Sequence, residues 1–470
     1  MYSLLTLALA SFILSFLLTP LIRNLARRLR LLDRPDHLRK LHVAPVPRIG
    51  GLPIALAYIA AFVLLILSPL KGGEIVEQSL PFIWKLLPAA VLVFATGLLD
   101  DLVRLKPWQK LLGQLAAASL AWWAGVQIQG FAGYTITGWL AFPITLLWLI
   151  GCTNAINLID GVDGLAVGVG LFATITTLVA ALLQGNMTLA LATAPLAGAL
   201  VGFLRYNFNP ASIFLGDSGS LWLGFLLGCY AVIWSQKSAT LLGMTAPLIA
   251  LSIPLLDTAL SILRRFLRGQ PIFGADRRHI HHRLLDRGLT PRRAVLLLYA
   301  VCGLAAAFSL LQSTLRNQYG GLVIVLFCAA AWLGIQHLGY AELTVARRLI
   351  FRGTFHRVFN AQLQSRTLEQ ALAAATSLEQ CWQIIRDASR DSGFTHLALQ
   401  LDHTVFEESL RHAEPSNSWT MRMPLSDSGL LNLTGEFEDP DRAMVAAPFA
   451  HAMRRSLQSA LLRLHSNDHP

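Results

Sequence analysis

The sequence predicts an all-α polytopic membrane protein of about eleven transmembrane helices, followed by a soluble α/β domain. Three observations predict it. Hydrophobic residues make up 54% of the 470-residue chain and charged residues only 14%, against about 25% charged in ordinary soluble domains. The apolar residues gather in windows of about 17 to 25, each long enough to cross a hydrocarbon layer of about 30 Å. Charges of both signs return in quantity only near Tyr340. A mean hydropathy of +0.54 agrees with all three.

The windows fall near residues 2–22, 50–69, 82–99, 111–126, 139–155, 165–183, 187–204, 219–235, 240–263, 294–313 and 319–338. The first has no small-residue cleavage site after it and runs into a basic loop, so it reads as a retained span. Basic residues then set the orientation. Arg23, Arg27, Arg28, Arg30, Arg34, Arg39, Lys40 and Arg48 follow the first window, Arg104, Lys106 and Lys110 the third, and nine arginines from Arg264 to Arg293 the ninth. The alternate loops offer little beyond Lys71, Lys237 and Arg316, so the positive-inside rule places the N-terminus outside and the C-terminus in the cytoplasm. The net charge of +11 thus reflects topology, and no aromatic-interleaved basic domain points to nucleic acid. Four of the five cysteines, Cys152, Cys229, Cys302 and Cys328, lie in or at the ends of apolar windows, and Cys381 lies in the polar tail; neither disulfides nor a zinc site is suggested. The expected division is a membrane core over 1–338, a helical linker over 339–375 and a soluble cytoplasmic domain over 376–470.

Four polar clusters interrupt this pattern, and the topology sends all of them to the cytoplasmic side. Asp100-Asp101 ends the third window; two adjacent carboxylates repel unless a cation sits beside them, although a solvated helix end is the plain alternative. Asn154-Ala155-Ile156-Asn157-Leu158-Ile159-Asp160-Gly161-Val162-Asp163-Gly164-Leu165 places two amides and two carboxylates between apolar runs, where desolvating a charge costs several kcal/mol, about 3 on insertion scales. Oxygen donors of this kind suit magnesium or manganese; the bland alternative is a polar turn. Asp217 stands between glycines before an apolar helix, able to reach a metal or to serve as an N-cap. His279-Ile280-His281-His282-Arg283 lacks zinc-ligand spacing, and Arg277, Arg278 and Arg283 would repel a dication. Arginine and histidine together better suit diphosphate oxygens, unless the arginines merely flank the membrane.

Taken together, these pieces resemble the polyprenyl-phosphate N-acetylhexosamine-1-phosphate transferases, glycosyltransferase family 4. The resemblance runs through Lys40-Leu41-His42-Val43-Ala44-Pro45-Val46-Pro47-Arg48-Ile49-Gly50-Gly51, Asp100-Asp101 with Lys110 and Gln114, the Asn154–Leu165 segment, Phe214-Leu215-Gly216-Asp217-Ser218-Gly219-Ser220 and the histidine loop, covering residues 1 to about 338. It implies transfer of a sugar 1-phosphate from a UDP-sugar to a prenyl phosphate in the bacterial plasma membrane, with magnesium as cofactor. Asp100, Asp101 and Asp217 would be catalytic, with Asn157 joining them around the metal. His279, His281 and His282 would meet the sugar and diphosphate. Lys40, Lys110, Asn154, Asn157, Asp160, Asp163, Arg277, Arg278 and Arg283 would bind substrate. Ile280 interrupts the three consecutive histidines typical of the branch that uses UDP-MurNAc-pentapeptide, so the loop looks like the branch using UDP-N-acetylglucosamine. An acceptor phosphate with a second pKa near 6 is already largely dianionic at neutral pH, which favours charge organisation by Asp100 and Asp101 over obligatory base catalysis. A two-step route through a phospho-aspartyl enzyme stays open beside direct attack.

In the tail, Glu342–Ala375 reads as helical, Leu378–Ser389 as an amphipathic helix, Thr395–Leu401, Trp419–Pro424 and Leu430–Glu436 as strands, and Met444–Leu464 as a closing helix. The order weakly resembles a GAF-like sensory domain, and a second copy of the chain is an expected partner through the helix from Glu342. Two non-enzyme readings accompany the main one. A transporter would place its carboxylates near the midplane on broken helices, and a sensor or scaffold would rest on the tail alone.

Overall fold

The computed structural model describes residues 1–33, 45–131, 134–136, 138–237, 245–267, 279–314, 325–331, 333, 355–401, 404–410, 418–425, 429–436 and 440–467. Two compact units, Met1–Gly339 and Tyr340–Pro470, make up the chain.

The first unit is a helical bundle. Its helices are α1 (Tyr2–Arg28), α2 (Gly51–Ile66), α3 (Lys71–Val103), α4 (Pro107–Trp123), α5 (Ala141–Ile159), α6 (Leu165–Leu183), α7 (Met187–Asn207), α8 (Gly216–Lys237), α9 (Thr245–Ala250), α10 (Ser252–Leu267), α11 (Ile280–Asp286) and α12 (Pro291–Thr314). Seven helices among the described residues, α1, α3, α5 with the short turn before it, α6, α7, α8 and α12, are long and apolar enough to cross a membrane. Of the remaining expected spans, α2 is a 16-residue apolar helix and α4 has 17 residues. The 240–263 window is divided at Leu251 between α9 and α10, and most of 319–338 lies outside the described residues. The chain is therefore a multi-pass membrane protein by the length and composition of its helices.

Helix α8 is the axis of the bundle. Its apolar window is 89% buried in the protein, whereas those of α1, α3, α5 and α12 are 22% to 39% buried. Helices α2, α3, α5, α6 and α7 all pack against it. Glycines make the tightest of these contacts: a Cβ at Gly97 of α3 would lie 2.6 Å from the Asp217 carbonyl carbon and 2.7 Å from Ser218 Cα. Tyr299 of α12 donates its hydroxyl to the Gly164 carbonyl at 2.5 Å, pinning α12 to the start of α6. A two-residue antiparallel ladder, β1 (Leu32–Asp33) with β2 (Val46–Pro47), pairs Leu32 with Pro47 and Asp33 with Val46; a second such ladder, β3 (Gly130–Phe131) with β4 (Tyr134–Thr135), precedes α5.

The second unit joins α13 (Phe355–Ala374), α14 (Leu378–Asp391) and α15 (Pro440–Asn467) to a four-stranded antiparallel sheet of β5 (His396–Leu401), β6 (Thr404–Ser409), β7 (Ser418–Pro424) and β8 (Gly429–Glu436), in the order β6-β5-β8-β7. Ser377 starts α14 by accepting the Gln380 N–H at 3.2 Å, the capping that serine favours. Leu397, Leu399, Leu431 and Leu433 alternate onto one face of the sheet and build its core with Leu368, Leu372, Ile385, Met453 and Leu457 of the helices. Three expected strands and two expected helices occur there. Strand β6 was not expected, because Glu407, Glu408 and Ser409 are poor strand formers that an exposed edge tolerates. The expected helix from Glu342 is described only from Phe355 onward.

Candidate active site

The polar clusters that the sequence scatters over 250 residues come from elements that start or stop at the same end of the bundle. Helix α3 ends there with Asp100 and Asp101, the first turn of α4 carries Lys110, and the last turns of α5 carry Asn154 and Asn157, with Asp160 just after it. Helix α8 begins with Asp217, and β2 leads into Arg48. Charged groups are affordable at such a position because helix ends can meet water and ligand.

Asp217 and Asp101 divide the work between them. Both Asp101 oxygens are committed to the start of α8: Oδ1 accepts the Asp217 N–H at 2.8 Å, and Oδ2 accepts the Ser218 N–H at 2.9 Å and the Ser218 hydroxyl at 2.7 Å. Asp101 thereby satisfies orphan donors of the first turn of α8, as a capping carboxylate does. Asp217 is freed for other contacts. Its Oδ2 pairs with the Lys110 ammonium and its Oδ1 lies 3.6 Å from Arg48 Nη2. Lys110 also meets Asp100 Oδ2 at 3.0 Å, while Asp100 Oδ1 accepts the Leu105 N–H at 2.8 Å and holds the chain where it leaves α3 through the left-handed Arg104.

Arg48 was not among the expected site residues, although it lies in the Lys40–Gly51 segment through which the family resemblance runs. It lies between Asp217 and Asp33, 3.9 Å from the latter's Oδ1. Burial works against its charge, but Asp217, Asp101, Asp33 and Asp160 outweigh that penalty and hold its pKa above the ordinary arginine value. Asp160 follows the end of α5. Its burial, together with the like charge of Asp217, pushes its pKa well above the usual carboxylate range despite the opposing pull of Arg48.

Two expected site residues, Asn154 and Asp163, connect elements. Asn154 and Gln114 exchange amide bonds of 2.6 and 3.2 Å between α5 and α4. Asp163 Oδ2 accepts from Asn209 Nδ2 at 3.0 Å and from the Ala211 N–H at 2.9 Å, fixing the loop that leads into α8. Asn157 differs, for its Nδ2 is buried with no hydrogen-bond partner among the described residues. A buried amide donor without a partner costs about 1–3 kcal/mol and is a position that a water, an ion or a ligand can satisfy.

The histidines form a second wall. His279 and His281 lie 5.7 Å apart with rings within 8° of parallel, and His281 and His282 are 4.4 Å apart. Burial first, and then His282, lowers the His281 pKa to about 3, so its ring is neutral and acts as a hydrogen-bonding group. Its Nε2 is buried without a partner among the described residues and faces Gly161, where a Cβ would lie 2.8 Å away. Arg283 follows in α11. Lys40, Arg277 and Arg278 lie outside the described residues.

No three His, Cys, Asp or Glu side chains among the described residues are grouped to hold a metal by themselves. Magnesium rarely demands such a cage, usually keeping waters and substrate oxygens beside one or two carboxylates. The donor chemistry fits that pattern, since Asp100 and Asp217 direct oxygens at one cationic point, held here by the Lys110 ammonium.

A polytopic helical bundle with carboxylates, cations and a buried orphan amide gathered at one end defines a multi-pass membrane protein with a polar site built from its helix ends. The chain matches the glycosyl transferase family 4 profile over residues 83–235. It is 37% identical over 290 residues to a probable undecaprenyl-phosphate N-acetylglucosaminyl 1-phosphate transferase of Bacillus subtilis, covering 61% of this chain and 78% of the relative. It is 33% identical over 321 residues to a decaprenyl-phosphate N-acetylglucosaminephosphotransferase of Mycobacterium leprae, covering 63% and 80%. A phospho-N-acetylmuramoyl-pentapeptide-transferase of Levilactobacillus brevis is 31% identical over 285 residues, covering 56% and 82%. The chain belongs to glycosyl transferase family 4.

Proposed function

We propose that the chain transfers N-acetylglucosamine 1-phosphate from UDP-N-acetylglucosamine to undecaprenyl phosphate or a similar polyprenyl phosphate, releasing UMP and starting a lipid-linked envelope glycan in a bacterial plasma membrane. The observation that carries this reading is the gathering of Asp100, Asp217, Lys110, Arg48 and the orphan amide of Asn157 at one end of the bundle. An oxygen of the acceptor phosphate attacks the sugar-bearing phosphorus, and the bond from that phosphorus to the UMP oxygen breaks.

Asp217, Asp100 and the Asn157 side-chain oxygen would hold magnesium, with manganese as the substitute. When bound, the ion neutralises charge on the diphosphate and the departing UMP. Lys110 and Arg48 supply fixed positive charge beside it, and Asp101 holds Asp217 in place through the first turn of α8. The acceptor is already largely dianionic at neutral pH, with a second pKa of about 6, so positioning and charge carry the step and Asp100 need not be a base. His281, neutral and dry, offers hydrogen bonding to donor oxygens, and Lys40, Arg277, Arg278 and Arg283 complete the substrate contacts.

Ile280 between His279 and His281, together with the names of the relatives in B. subtilis and M. leprae, favours UDP-N-acetylglucosamine over UDP-MurNAc-pentapeptide. The GAF-like likeness of the tail supports a regulatory role there. A transporter is disfavoured because the carboxylates crowd one end of the bundle. The test is the purified full-length protein with radiolabelled UDP-sugars, prenyl phosphate and magnesium. Lipid-linked label from UDP-N-acetylglucosamine with equimolar UMP is expected; label only from UDP-MurNAc-pentapeptide would move the chain to that branch, and none from any UDP-sugar would overturn the reading.

A further inference from the structure

We infer that Asp257 is a positioning residue that orients the histidine wall through His279, an inference that rests on the proposed reaction for its kinetic consequence. Asp257 sits on α10, outside every motif singled out in the sequence, and is 1% exposed. Its Oδ2 lies 2.9 Å from His279 Nδ1, and its Oδ1 accepts the Ile280 N–H at 2.9 Å. One carboxylate thus holds both the imidazole of His279 and the backbone that follows it.

A carboxylate has no proton to give, so Nδ1 of His279 carries the hydrogen and Nε2 is left as the nitrogen for other contacts. The ring is also fixed in direction, because the same carboxylate grips the Ile280 amide and cannot swing without losing it. From there the order passes by stacking: His279 lies parallel to His281, and His281 rests against Gly161, the residue after Asp160. The chain of contacts from Asp257 to Gly161 sets how far the histidines stand from the carboxylate end of the site. Partners that orient ligand histidines elsewhere are worth about 10- to 100-fold in function.

Substitution by asparagine separates positioning from folding. In Asp257→Asn the amide oxygen can still accept from Ile280, whereas the amide nitrogen facing His279 becomes a donor and forces the opposite tautomer. With the full-length protein, Asp257→Asn is expected to lower kcat/KM about 10- to 100-fold with little change in melting temperature, and Asp257→Glu to recover part of the loss. Combined with His279→Gln, Asp257→Asn should add less than about twofold, because residues acting as one unit are not additive. An Asp257→Asn enzyme with unchanged kcat and KM, or one whose loss is as large in the His279→Gln background, would overturn the inference. Nitrogen NMR of histidine-labelled wild-type protein decides independently of turnover: a proton on Nδ1 of His279 supports the assignment, and a neutral ring protonated on Nε2 refutes it. Absence of transfer by the wild type would instead refute the proposed reaction and leave the NMR result standing.

Discussion

Asp101 and Asp217 bring the same carboxylate to neighbouring positions, and their hydrogen bonds give them opposite predictions. Asp217 faces the Lys110 and Arg48 cations with the Asp100 carboxyl beside it, so Asp217→Asn should remove about 100- to 1,000-fold or more of the transfer rate, the scale on which loss of one preorganised electrostatic group is felt, with the melting temperature nearly unchanged. Asp101 caps α8, so Asp101→Ala should cost about 1–2 kcal/mol of stability as well as activity, seen as a lower melting temperature of the detergent-solubilised protein. Equal thermal effects from both would contradict this division. The sequence offered both Asp217 and Asp101 to the metal, with an N-cap as the alternative for Asp217 alone, and gave no sign that Asp101 caps α8, because capping by a residue from a distant helix leaves no local spacing to read. For His281, the folded pKa of about 3 lies below the unfolded value of about 6.5. The unfolded chain therefore binds the proton first as pH falls, and stability present above about 6.5 is lost progressively down to about 3, at up to ~1.4 kcal/mol per pH unit. His281→Gln should flatten that part of an apparent melting-temperature profile, which a pH series would show.

Among the elements, α8 and the glycines around it decide whether the site exists. Gly97 permits α3 to approach the first turn of α8 so closely that a methyl group would strike the Asp217 backbone. Gly97→Ala should therefore displace Asp217 from Lys110 and cut activity at least tenfold, while Gly151→Ala, where a Cβ meets nothing within 4 Å, should keep full activity and at most gain a fraction of the ~1 kcal/mol helix preference for alanine. Comparable losses in the two variants would remove the packing argument. Most helices were legible because apolar runs of span length leave few alternatives. The break at Leu251 and the edge strand β6 were not, since both depend on neighbours distant in sequence. The candidate site was legible as a set of polar motifs at the ends of apolar windows, expected on one side of the membrane, and the described ones come from helix ends at one end of the bundle. Arg48 and Asp257 were harder: an arginine in a basic loop reads as a membrane flank, and a lone aspartate inside an apolar window carries no motif, although its cost there was itself a signal.

At the scale of the whole molecule, the second unit, Tyr340–Pro470, has its own apolar core, built from Leu368, Leu372 and Ile385 with the leucines of β5 and β8. None of the residues proposed for catalysis belongs to it. Among the described residues its polar side chains make no cluster that resembles the carboxylates and amides of the first unit, so the proposed role of the tail is regulation or tethering. Deleting residues 345–470 should then leave at least about a third of the full-length turnover in detergent, a loss of no more than ~0.7 kcal/mol in transition-state free energy. If the helix expected from Glu342 pairs with a second copy, the same deletion should halve the number of copies per particle, and the light-scattering mass should fall to a little over a third, from two copies of 470 residues to one of 344, because a two-fold contact made by that segment is removed from both partners at once. An unchanged copy number with retained activity would locate any dimer contact in the first unit. A truncated protein that inserts and melts normally but transfers nothing would show that the tail supplies a group to the reaction, and the site assigned to Arg48, Asp100, Asp217 and the histidines would then be incomplete.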